Sequence, residues 1–247
     1  MAHALSIPAK DGSFPGLIAS PVGVQPRGAI IVVQEAFGLT DHIGEICDRL
    51  ALDGYRAIAP ALYHRNGSPV FGYDAISDDG RRADLLEAMG SLSPEGIAAD
   101  LDATIGVVAA EGFNAREIGV VGFCMGGSVA FFAATRPGIG AAVTFYGGGV
   151  TEGRFGLPSL VDLASEVSVP WLGLYGDQDA GIPVDQVEAL RAATHALAVE
   201  TEIVRYANAG HGFNCDARPD HFNHDAAADA WRRALGFFAV HLEGRLS

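Results

Sequence analysis

Residues 116–135 read Arg-Glu-Ile-Gly-Val-Val-Gly-Phe-Cys-Met-Gly-Gly-Ser-Val-Ala-Phe-Phe-Ala-Ala-Thr. Ile118 to Val121 form a short apolar, β-branched run of the kind that makes a buried strand. From Met125 to Thr135 small and apolar residues continue without proline, which predicts a buried helix. Between them stands Gly122-Phe123-Cys124-Met125-Gly126. A Gly-x-nucleophile-x-Gly pentapeptide between strand and helix is the setting of a nucleophile elbow, where a strained turn lifts the reactive side chain above the sheet edge. The glycines are needed because a side chain there would meet the packed strand or helix. Cys124 would then sit at a helix amino end, whose dipole and free N–H groups favour a thiolate. The Met125 amide would point into the same space as an oxyanion donor.

Working outward, the strands and helices alternate. Two short strands within residues 4–20 flank an Asp11-Gly12 turn, and Ala29 to Val33 is a continuous apolar strand. A helix from about His42 to Asp53 and a strand from Tyr55 to Ala59 follow. Residues 62–80 show no periodicity and read as a loop. Helices are expected at about 81–89 and 94–111, the second with Ser93 as cap and Pro94 at the first helical position. After the elbow come strands at 141–146, 170–175 and 200–206, helices at about 184–197 and 224–241, and an irregular stretch at 151–168. Trp231, Leu235, Phe238 and Leu242 share one face of the last helix and read as core. Strands alternating with helices predict an α/β protein with a mostly parallel sheet covered on both faces. A single domain over residues 1–247 is expected.

Composition narrows the function. The chain has 49% hydrophobic and 19% charged residues, a net charge of −14 and a pI near 4.8. Such an acidic surface disfavours nucleic acid and anionic membranes as partners. No apolar run is long enough for a membrane helix, and the amino terminus lacks signal-peptide character, so a cytoplasmic location is expected. Cys47, Cys124 and Cys215 are odd in number and widely spaced, which favours one functional thiol over a disulfide framework. Cys215, His221 and His224 have no strong ligand spacing, and Gly147-Gly148-Gly149 lacks the marks of a nucleotide loop. Neither cofactor nor metal is expected. Cys47 reads as a buried apolar residue.

A thiol nucleophile needs a base, and the base needs an orienting group. Asp179 and His211 each follow a predicted strand, giving the order nucleophile, acid, histidine that an α/β-hydrolase sheet imposes. Asp177 competes with Asp179 but reads better as a turn former. His211 lies between Gly210 and Gly212, so its loop can turn sharply. Phe37, Tyr146 and Phe213 flank the motifs and are candidates for the pocket wall, or for core.

Several stretches carry a resemblance: Gln34-Glu35-Ala36-Phe37-Gly38, Ala59-Pro60-Ala61-Leu62-Tyr63, the Cys124 pentapeptide with Gly127, Tyr146-Gly147, Gly176-x-x-Asp179-x-x-Ile182-Pro183 and Gly210-His211-Gly212-Phe213. In this order they resemble the dienelactone hydrolase (carboxymethylenebutenolidase) family of the α/β-hydrolase fold. The resemblance implies a Cys124–His211–Asp179 triad that opens an enol-lactone ring through acyl transfer to sulfur and then to water. It implies that Glu35 contacts the thiol and controls its ionisation, and that the Ala36 amide joins Met125 in the oxyanion hole. It also implies arginines gripping a substrate carboxylate, one of them upstream, at Arg82 or Arg81. The other stands four residues after the histidine, where this chain has Cys215. The expected partner is a small lactone or ester, the expected assembly a monomer or dimer. A broader carboxylesterase or thioesterase is the alternative, ahead of a non-catalytic binding module.

Overall fold

All five residues of Ala29–Val33, strand β3, are buried. A strand with no solvent face must lie inside a sheet covered on both sides. The computed structural model, which describes residues 1–244, sets it within an eight-stranded sheet. The other strands are β1 (His3–Ala9), β2 (Gly12–Ala19), β4 (Arg56–Pro60), β5 (Ile118–Phe123), β6 (Ala141–Phe145), β7 (Trp171–Gly176) and β8 (Thr201–Tyr206). Their spatial order is β1-β2-β4-β3-β5-β6-β7-β8. β2 runs antiparallel to β1 and β4, and the remaining neighbours are all parallel. This is the mostly parallel α/β-hydrolase sheet that the sequence predicts.

The helices are α1 (Asp41–Leu52), α2 (Asp79–Gly90), α3 (Pro94–Ala110), α4 (Met125–Ala134), α5 (Leu160–Leu163), α6 (Val184–Thr194) and α7 (His224–His241). Ser93 caps α3 by accepting the Gly96 amide, with Pro94 in the first turn. α4 packs on β5 and β6, and its small residues let it approach closely. On α7, Phe238 is buried and Leu242 just beyond it as well, whereas Trp231 and Leu235 are half-buried at the edge of the core. Arg49 of α1 stacks over the Trp231 ring, which is why that residue stays at the rim.

Two stretches are more ordered than expected. Residues 62–80 contain 3-10 turns at His64–Asn66 and Tyr73–Ile76, and the segment 151–168 contains α5 and a 3-10 turn at Ala164–Glu166. Elements of three or four residues complete barely one turn, too few to show a period.

The topology fixes where a site can form. From β3 the chain crosses through α1 to β4 on one side, then reaches β5 on the other side of β3. The loops leaving β3 and β5 therefore diverge, opening a crevice at the carboxyl ends of the two strands. Gln34–Gly38 leaves β3 there, and Cys124 leaves β5.

Candidate active site

Cys124 has φ 55° and ψ −115°, a backbone conformation costly for a residue with a side chain. The neighbouring glycines make it possible. A Cβ on Gly122 would lie 1.8 Å from the Gly126 carbonyl oxygen, and one on Gly126 would lie 2.3 Å from that of Val33. Strand β5, helix α4 and the end of β3 thus touch backbone to backbone at the elbow, and Cys124 is pushed outward. The Met125 amide, at the first helical position, has no partner within the helix.

Loops after β7 and β8 bring the expected groups to the sulfur. His211 Nε2 lies 3.0 Å from Cys124 Sγ, and its Nδ1 lies 2.6 Å from Asp179 Oδ2. The other Asp179 oxygen accepts the Gly181 amide at 2.8 Å, which holds the buried carboxylate in place. Burial alone would depress the His211 pKa, but the facing sulfur and Asp179 carry it up to about 10. Asp177 instead grips Arg205 through two hydrogen bonds, at 2.7 and 2.9 Å, and turns away from the histidine.

Beside Cys124 and His211 opens a cavity of about 610 Å³, whose wall includes Ala36, Phe37, Tyr73, Arg82, Met89 and Arg218. Of the two upstream arginines, Arg82 lines it, while Arg81 does not and is paired with the wall residue Asp74. Phe37 is part of the wall, but Tyr146 and Phe213 are not. Both are wholly buried behind the histidine, with ring centres 5.2 Å from Tyr146 to His211 and 5.1 Å from Tyr146 to Phe213. They wall the core and support the imidazole; as substrate contacts they are corrected. Cys215 is fully buried too, its thiol 3.7 Å from the Tyr73 hydroxyl, and burial pushes that thiol up to about 12. Cys47 is likewise buried, and desolvation carries its thiol up to about 12.

Arg218 was not anticipated. It is 9% exposed, yet its guanidinium lies over the Phe37 ring at 5.3 Å and near that of Tyr73 at 5.8 Å. Its Nη2 donates to His221 Nε2 at 2.9 Å, and the His221 Nδ1–H donates to the His211 carbonyl at 3.0 Å. Among the described residues no carboxylate forms a salt bridge with it. A half-satisfied buried cation on a cavity wall is an anion receptor.

Glu35 also departs from expectation. Its carboxyl is 1% exposed, and neither oxygen has a hydrogen-bond partner. The thiol's hydrogen-bond partner is His211, and no hydrogen bond joins Glu35 to Cys124. Burial raises the Glu35 pKa, with Arg218 and His211 pulling the other way.

A family model described as the dienelactone hydrolase family matches residues 14–242. A Salmonella typhimurium protein provisionally named carboxymethylenebutenolidase is 41% identical, over 95% of this chain and 85% of its own length. A Yersinia pestis protein of the same provisional name is 39% identical, over 96% and 87%. The crystal structure of a provisionally named dienelactone hydrolase from Klebsiella pneumoniae is 38% identical and superposes with a TM-score of 0.87, covering 97% of this chain and 98% of that one. The chain belongs to the dienelactone hydrolase family, and is a hydrolase of ester bonds.

Proposed function

We propose that the protein opens an anionic enol-lactone by acyl transfer to Cys124 and then to water. The observation that carries this reading is the continuous line Cys124–His211–Asp179, with gaps of 3.0 and 2.6 Å. Cys124 Sγ attacks the lactone carbonyl, and the ring C–O bond breaks. The departing enol oxygen takes a proton from His211 Nε2, whose raised pKa keeps that proton available. Water then attacks the thioester while His211 removes its proton, the C–S bond breaks, and the carboxylate product leaves. Asp179 holds the imidazole through Nδ1 in both half-reactions. The amides of Met125 and Ala36 would receive the oxyanion. Glu35, whose burial favours the neutral carboxyl, would place little opposing charge near the site. Arg218, with Arg82 across the cavity, would take the substrate carboxylate in place of an arginine at position 215.

A second reading has its own support. A smaller cavity of about 240 Å³ reaches Cys124 from the other side, past Met125, Arg154 and Ile182. A lactone has no separate leaving group to fill it, whereas an acyclic ester or thioester does. The test is turnover of cis- and trans-dienelactone beside p-nitrophenyl acetate, with Cys124→Ala as control. Cys124-dependent lactone opening faster than ester cleavage supports the first reading, and ester cleavage alone supports the second. Turnover that survives in Cys124→Ala would overturn both.

A further inference from the structure

We propose that His42, Glu45 and Asp216 bind a divalent transition-metal ion of the zinc type, which ties α1 to the loop following His211. His42 and Glu45 stand three residues apart on α1 and so share one face of the helix. Asp216 comes to that face from the loop between His211 and α7. One ligand atom from each residue lies within 4.8 Å of the other two.

The histidine is what separates this cluster from ordinary surface acids. His42 is 2% exposed, and neither ring nitrogen makes a hydrogen bond. Its Nε2 meets no partner of any kind, and a buried imidazole nitrogen left unpaired is a cost that folds normally avoid. Its Nδ1 faces Asp216 Oδ1 at 3.2 Å, the distance of an ion pair. Two donors on one tetrahedral zinc, each about 2.0–2.1 Å from the ion, stand roughly 3.3 Å apart. The observed gap is close to that spacing, which a simple His–Asp pair shares; Glu45, brought within 4.8 Å of both, is what adds a third donor. One imidazole nitrogen with two carboxylates suits zinc, or a neighbour such as manganese or cobalt, better than calcium or magnesium, which prefer all-oxygen shells. Glu45 and the half-exposed Asp216 leave the outer side open, so an ion can enter and water can complete its shell. The ion would stand apart from Cys124 and His211. Its effect would be on the loop, since Asp216 lies two residues before Arg218. No metal was expected from the sequence, where the ligand candidates weighed were Cys215, His221 and His224 and not His42.

The test uses the full chain, stripped with chelator and titrated with zinc chloride by calorimetry. Cys124→Ala serves as the parent, so that the thiol–imidazole pair cannot supply the ligands. One equivalent of zinc should bind, and it should raise the melting temperature by mass action. Asp216→Asn and Glu45→Gln change accessible side chains and should fold; each should weaken zinc at least about tenfold and reduce the zinc-dependent melting shift. Absence of a saturable single equivalent in the parent, or parent-like affinity in either carboxylate variant, would overturn the site and leave His42 and Asp216 as a simple pair.

Discussion

Replacing Arg218 by glutamine separates recognition of a charged substrate from catalysis on any ester. The guanidinium is almost buried, stacked over Phe37 and steered by His221. A substrate carboxylate about 4 Å away, at an effective dielectric near 20, gains roughly 4 kcal/mol from it. Desolvation takes back part of this, and a hydrogen bond to a charged group nets about 1.5–3 kcal/mol. Arg218→Gln should therefore cost anionic lactones about 2–3 kcal/mol, or roughly 30- to 150-fold in kcat/KM. A neutral ester such as p-nitrophenyl acetate has nothing to lose at that position and should change less than about threefold. The assay is paired kcat/KM for dienelactone and the neutral ester, on parent and variant. Arg218→Lys should recover only part of the loss, because an ammonium lacks the planar fork. Equal fractional losses on both substrates would mean that Arg218 only holds the loop together. Unchanged lactone turnover would remove it from recognition altogether.

Other perturbations address the remaining parts. Asp179→Asn should lower kcat by about 10³–10⁴ through loss of the imidazole orientation, with the far-ultraviolet circular dichroism spectrum unchanged; a loss under tenfold would show that Asp179 does not orient the base. Gly122→Ala should destabilise the fold by at least about 3 kcal/mol, since the new methyl would meet the Gly126 carbonyl at 1.8 Å. A thermal melt within about 2 °C of the parent would show that the elbow can yield. Glu35→Gln tests the buried carboxyl. Because its folded pKa is raised by burial, its contribution to stability is present below the ordinary glutamate pKa and is lost as pH rises through the folded value. Glutamine stays neutral, so the variant should gain stability relative to the parent between pH 4 and pH 8 in urea unfolding; a difference independent of pH would contradict this.

The parts legible in the sequence were those where backbone geometry leaves little choice. The elbow shows itself because Gly122 and Gly126 touch backbone, so their identity is dictated by contacts four and five residues away or with the end of β3. Asp179 and His211 show themselves because parallel strands deliver successive loops to one edge, making chain order a proxy for position. Asp177 was separable from Asp179 only weakly; the deciding fact is Arg205, 28 residues on in the next strand, β8, which captures Asp177. Tyr146 and Phe213 stayed open between pocket wall and core because an aromatic beside a motif satisfies both equally well. The difference lies in which side of the imidazole each ring occupies. His42 gave no signal at all, since its importance depends on Asp216, 174 positions further along the chain.

Arg218 was missed for a different reason, which also explains how a clamp can move. The loop after His211 descends in steps of three: Cys215 donates to the Gly212 carbonyl, Arg218 to that of Cys215, and His221 to that of Arg218. Residues three apart in such a ladder return to one side of the chain. Position 215 and position 218 are therefore alternative sites from which a side chain can reach the same cavity. The thiol at 215 is short and stays buried behind the wall, 3.7 Å from the Tyr73 hydroxyl. The guanidinium of Arg218, one step further down, is long enough to reach the cavity wall, and His221, one step further still, holds it by a hydrogen bond. Counting four residues from the histidine finds the position where an arginine is expected and stops there. Counting turns finds where an arginine can act. On this argument Cys215 alone does not decide the substrate: Cys215→Arg in the parent should gain little on anionic lactones, because the seat is occupied, whereas in an Arg218→Gln background it should restore a substantial part of the lost kcat/KM. Failure of that rescue in a folded double variant would break the equivalence of the two positions.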